Sequence, residues 1–137
     1  MPDIDVVDST WICTRPSTLA AIVAEPANWR RWWPGLDLTV DEWRGQKGVR
    51  WNVGPSERGR VRGSMEVWLE PQFDGVVAHF FLRLDGTGGR ALSRRRVRKL
   101  TDKYRFRAKD LFWSLGNQLD PARVARVSDR RPVASSE

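Results

Sequence analysis

From Ser93 to Leu119 the chain contains no proline, and its only glycine there, Gly116, falls near the end. Leu100, Tyr104, Ala108, Leu111, Leu115 and Leu119 recur at three- and four-residue spacing, the period of an amphipathic helix. At 1.5 Å per residue such a helix is about 40 Å long, enough to cross a small domain. An apolar stripe of that length must be buried against an extended apolar surface. Whatever precedes Ser93 has to provide it.

The preceding sequence reads as one strand, two short helices and four more strands. Asp5 to Cys13 carries Val6, Val7, Thr10, Trp11 and Ile12, a β-branched and aromatic mix. Pro16 suits the first turn of a helix that runs to Ala24 with Leu19, Ala20, Ile22 and Val23 as its apolar stripe. Pro26 breaks it and starts a second helix to Trp32, ended by Pro34-Gly35. Leu36 to Trp43 and Val49 to Val53 then alternate apolar with polar residues. Val61 to Glu70 and Gly75 to Leu84 do so most cleanly. Short connections make these an antiparallel meander with one buried face. The expected fold is α+β, a curved antiparallel sheet wrapped around the long C-terminal helix, formed by residues 1–127 as one domain. After Asp120-Pro121 the helix is expected to resume to Val127, and the polar stretch 128–137 reads as a disordered tail.

A chain of 137 residues buries enough surface to fold without cross-links. The single cysteine, Cys13, forms no internal disulfide and reads as a small core hydrophobe. With one histidine besides, an ordinary zinc site is excluded, and no metal or cofactor is expected. The N-terminus carries Pro2, Asp3 and Asp5 instead of a signal peptide, and no apolar run is long enough to span a membrane. A reduced, cytoplasmic protein is expected. Eight tryptophans suit a dense core or a lined pocket.

The segment Glu25-Pro26-Ala27-Asn28-Trp29-Arg30-Arg31-Trp32-Trp33-Pro34-Gly35, within this order of elements, resembles the START-like helix-grip superfamily (SRPBCC), in its polyketide cyclase/dehydrase and lipid-transport branch. The resemblance covers residues 4 to about 120. Members usually place six strands between the small helices and the last helix, whereas four are legible here. Thr87 to Lys99, where two more would sit, is glycine followed by arginine. A truncated sheet, or strands hidden in the arginine run, would account for this.

The resemblance implies a cavity between the concave face of the sheet and the long helix, holding an apolar or amphipathic molecule, lipid or polyketide-like. Alternation places Trp51, Val53, Met65, Val67, Leu69, Ala78, Phe80 and Leu82 on that face, and the helix adds Tyr104, Ala108, Leu111 and Leu115. The expected ligand-binding residues are Trp51, Val53, Met65, Val67, Phe80, Leu82, Tyr104, Ala108 and Leu111. The same residues could instead fill one another's space and leave no pocket. A polyketide aromatase/cyclase is the enzymatic alternative, but no catalytic residue is assigned. His79, the only histidine, falls on the face opposite Phe80 and Leu82, and no Ser-His-Asp or Cys-His pairing is suggested. Gly86, Gly88 and Gly89 match no phosphate-loop fingerprint and read as a hinge.

Two surface features remain. If Glu70 pairs with Gly75, Glu66 lies opposite His79 and Trp68 opposite Val77 on the outer face. There Trp68, Val77 and Phe81 would form an apolar patch that suits a weak homodimer. Net charge is +7, and ten of the 24 basic residues lie between Arg90 and Lys109. The run from Arg94 to Lys109 reads as a solvated face. A basic module for nucleic acid or anionic membrane is the less favoured alternative.

Overall fold

The computed structural model describes residues 2–120. Inward Ile4, Val6 and Ile12 alternate with exposed residues along β1 (Ile4–Ile12). Pro16 opens α1 (Pro16–Ala24), which buries Leu19, Ala20 and Val23. The carboxylate of Glu25 accepts from the Ala27 amide at 3.3 Å and caps α2 (Pro26–Trp32), whose buried residue is Trp29. The meander follows as β2 (Leu38–Trp43), β3 (Gly48–Ser56), β4 (Val61–Gln72) and β5 (Gly75–Gly86). A 3-10 turn at Thr87–Gly89 leads to α3 (Arg94–Leu119), where the Ser93 side chain accepts from the Arg96 amide at 3.1 Å.

All five strands are antiparallel in the order β1-β5-β4-β3-β2, so the first strand closes against the last. Thr87 to Lys99 contains the glycine turn and the start of α3, with no strand. The sheet is therefore shorter than expected of the superfamily by one hairpin. The core gathers inward residues of β1, β3, β4 and β5, α1, α2 and the inner stripe of α3, with Leu38 of β2 partly buried against it. Cys13 is only half-buried, because β1 ends at Ile12 and leaves the thiol beside the β4–β5 turn, 4.0 Å from the Asp74 carbonyl. The expected helix to Val127 and the tail 128–137 lie outside the described residues.

The β4–β5 hairpin differs from expectation in register. Gln72 pairs with Gly75, which places Trp68 opposite His79 and Glu66 opposite Phe81. β4 runs two residues further than expected, and Phe73 adopts a left-handed φ of 58° to make a two-residue turn. A shift of two preserves which face each residue occupies, so the concave set is unchanged. Glu66 instead faces Arg50 on β3 and takes ion pairs from Arg44 and Arg50.

Candidate functional site

Eight of the nine expected ligand-binding residues meet in the interior. Met65, Phe80, Leu82 and Ala108 expose no surface, and Trp51, Val53, Val67 and Tyr104 expose 1–3%. Space for even a water molecule does not adjoin residues with zero exposure. The chamber expected between sheet and helix is filled in this conformation. Trp33, from the irregular segment after α2, occupies it with its ring stacked on Phe80 at 5.0 Å and 9°. Phe112 closes the other side of Phe80 at 6.1 Å, and Trp29 meets Trp51 edge-on at 5.9 Å.

Leu111 is the exception. It lies half-buried on the flank of α3, while Phe112, four residues after Ala108, takes the inward position. Leu111 borders a groove of about 470 Å³ that runs beside Trp32, Phe106 and Arg107. The Arg107 guanidinium donates to the Trp32 carbonyl at 3.3 Å and ties α3 to the end of α2.

Polar groups border this interior at three places. Among the described residues, the Trp51 indole N–H is the one buried side-chain polar atom with no hydrogen-bond partner. Leaving such a donor unmet costs about 1–3 kcal/mol. Asp8 on β1 faces inward and pairs with Lys109 of α3 at 2.5 Å, accepting also from Thr10. Nothing in the sequence of an apolar strand marks Asp8 as inward except its parity with Val6. The third place is Glu57, whose carboxylate accepts from the Tyr104 hydroxyl and from Lys103 Nζ at 2.7 Å. Glu57 and Arg58 both hold left-handed backbone (φ 53° and 63°), at a cost on the order of 1 kcal/mol each.

Burial, then the bond to Glu57, pushes the Tyr104 hydroxyl far above its ordinary value. Burial would raise Glu57 too, but the hydrogen bonds from Lys103 and Tyr104 outweigh it and lower its pKa. A depressed carboxyl stabilises the fold above the unfolded value of 4.5, and that stability is lost as pH falls through the folded value. The tyrosine acts at the other end. The unfolded phenol ionises near 10.0 while the folded one stays protonated, so stability falls as pH rises past that point. Urea midpoints should decline at both extremes, and Glu57→Gln should flatten the acid limb. Tyr104 is the only tyrosine, so tyrosinate absorbance should appear only as the chain unfolds.

On the outer face, strand order creates a constellation that local sequence does not reveal. His79 Nε2 lies 2.9 Å from Glu70 Oε1, and Nδ1 lies 2.8 Å from Ser9 Oγ, with Trp68 stacked on the ring at 4.8 Å. In the neutral imidazole, an Nε2–H that donates to the Glu70 carboxylate leaves Nδ1 to accept from the Ser9 hydroxyl. The trio lies on the sheet surface away from the interior. It therefore joins β1, β4 and β5 without entering the chamber.

This architecture is the START-like helix-grip fold: a curved antiparallel sheet closed over a long C-terminal helix, with two short helices after the first strand. Protein MLL2253 from Mesorhizobium loti has the same fold, with a TM-score of 0.61 at 16% identity over 84% of this chain and 95% of that one. The Aha1 dimer from Colwellia psychrerythraea gives a TM-score of 0.58 at 13% identity, over 86% and 97% respectively. No protein-family model and no curated protein matches the sequence. Identities this low establish the fold and assign no activity.

Proposed function

We propose that the domain binds an apolar or amphipathic small molecule, lipid or polyketide-like, between the sheet and α3. The unmet Trp51 indole N–H carries this proposal, because a carbonyl or carboxyl oxygen of an entering ligand would accept from it. The ligand enters by the groove beside Trp32 and Leu111, and Trp33 leaves Phe80 to make room. Support for that route comes from the segment that holds Trp33. It is irregular, bounded by Pro34 and Gly35, and held by a few backbone bonds, Trp33 to Trp29, Leu36 to Trp33 and Glu57 to Gly35. Met65, Val67, Val53, Phe80, Leu82, Tyr104 and Ala108 then line the opened space, with Leu111 at its mouth. A cytoplasmic location belongs to the same proposal; no described helix is long and apolar enough to cross a membrane.

Fluorescence titration with cis-parinaric acid tests it. The parent should bind, and Trp51→Phe should weaken that binding while leaving diphenylhexatriene, which has no acceptor, unaffected. Failure of the parent to bind either probe would overturn the proposal. The aromatase/cyclase alternative would draw on Tyr104 and Asp8, the polar side chains at the chamber wall, and no observation favours it over binding.

A weak homodimer is a further part of the proposal. Val7 and Trp11 on β1 extend the outer patch of Trp68, Val77 and Phe81, and are 55%, 39% and, for Trp68, 38% exposed. The related fold from Colwellia psychrerythraea is described as a dimer. Sedimentation should show self-association at high micromolar concentration that Trp68→Glu abolishes; a monomer throughout that range excludes the dimer.

A further inference from the structure

We propose a second, separate site: a basic groove between the β3–β4 turn and the first turns of α3 that binds a phosphomonoester or pyrophosphate group. The hollow is about 400 Å³ and is lined by Arg58 and Arg60 from the turn and by Arg96, Lys99 and Lys103 from the helix. Positions 96, 99 and 103 are three and four residues apart, so they share one flank of α3.

Five cations meet in this hollow against one acid. Arg44, Arg50, Arg83 and Lys109 each have a carboxylate within 4 Å. Among the described residues, none lies that close to Arg58, Arg60, Arg96 or Lys99, nor to Arg98 or Arg105; what sets the first four apart is that they converge on one hollow from two elements. Glu57 is the one acid in the lining, and both its contacts, to Lys103 and Tyr104, use the same oxygen, Oε2. Lys103 thereby offsets the Glu57 charge, and the other four cations of the lining keep theirs. Cations gathered from two elements around one hollow repel one another, and they also oppose the positive end of the helix dipole. A bound dianion relieves both, and guanidinium forks match phosphate oxygens in pairs. The left-handed turn at Glu57 and Arg58 supports the same assignment, since it brings Arg58 to the helix at the expense of backbone strain.

Convergence on a hollow favours a compact phosphate over a nucleic-acid backbone. A duplex would follow a row of charges along an exposed ridge, and Arg98 and Arg105, both exposed on α3, lie outside the groove.

Calorimetry with inorganic pyrophosphate and flotation with vesicles of phosphatidic acid in phosphatidylcholine form the two arms. Arg58→Gln and Lys99→Gln should each weaken binding about ten-fold, and about a hundred-fold together. The control pair Arg98→Gln and Arg105→Gln should leave it within about two-fold, because diffuse attraction alone is lost to salt. Pyrophosphate binding with this pattern supports a soluble phosphate ligand; the pattern on vesicles alone supports a lipid headgroup. Binding to neither probe overturns the site. Equal loss in the control pair, or binding confined to a DNA duplex, overturns it too. Trp51→Phe should not change these constants, which separates this site from the apolar chamber.

Discussion

Replacing Trp33 by alanine should lower stability by about 3–5 kcal/mol and at the same time tighten binding of a hydrophobic probe. The first effect follows from packing. Trp33 is 2% exposed and stacked on Phe80, which itself contacts Phe112. Removing the indole deletes a large buried area and leaves a cavity that a sheet on one side and a helix on the other cannot collapse to fill. The second effect has the opposite sign because the parent must first move this ring. A ligand that binds only the opened form is weakened by the fraction of time the form exists, and alanine removes that penalty. Chemical denaturation and cis-parinaric acid titration on the same preparation measure both. Should alanine leave too little folded protein, Trp33→Phe offers a smaller cavity with the same direction of change. Destabilisation without tighter probe binding would mean that Trp33 is ordinary core.

Ala108→Leu should destabilise by about 1–3 kcal/mol, since Ala108 has no exposed surface and its neighbours on α3, Tyr104 and Phe112, are buried rings. Added methyl groups have nowhere to go while Trp33 is in place. In the Trp33→Ala background the same change should cost less, with a coupling of about 1 kcal/mol or more, because the larger side chain would occupy volume the indole vacated. Denaturant midpoints for the four members of the cycle measure this. Strict additivity would place the two residues in independent parts of the core, and Ala108 would then not line the space Trp33 fills.

Much of this architecture was legible from short-range pattern. Two-residue alternation identified the concave faces of β4 and β5, and the spacing from Leu100 to Leu115 identified α3. Both signals arise because a regular element presents one side to the core. Trp33 sits past the last turn of α2, where neither period applies, so its place inside the chamber could not be read. Leu111 and Phe112 are adjacent and both apolar, and a helical stripe is too broad to choose between them. The β4–β5 register depended on Phe73 accepting a left-handed turn, which bulky residues seldom do. Ser9, Glu70 and His79 meet only because β1 pairs with β5, and the basic groove exists only because a turn near residue 58 reaches the helix. Such contacts join distant parts of the chain and leave no local trace.

The pairing of β1 with β5 also bears on how the protein is made. Ile4 meets Leu84, and Ile12 meets Val76, so the first strand has no sheet partner until much of the chain has been synthesised. At about 5–20 residues per second this wait lasts several seconds at least, during which β1 is an unpaired apolar segment. α3, which packs against β1, follows later still. The β2–β3–β4 meander, by contrast, can assemble as each hairpin emerges. Closure of the domain therefore waits for β5 and α3, and β1 is the strand that stays unpaired longest.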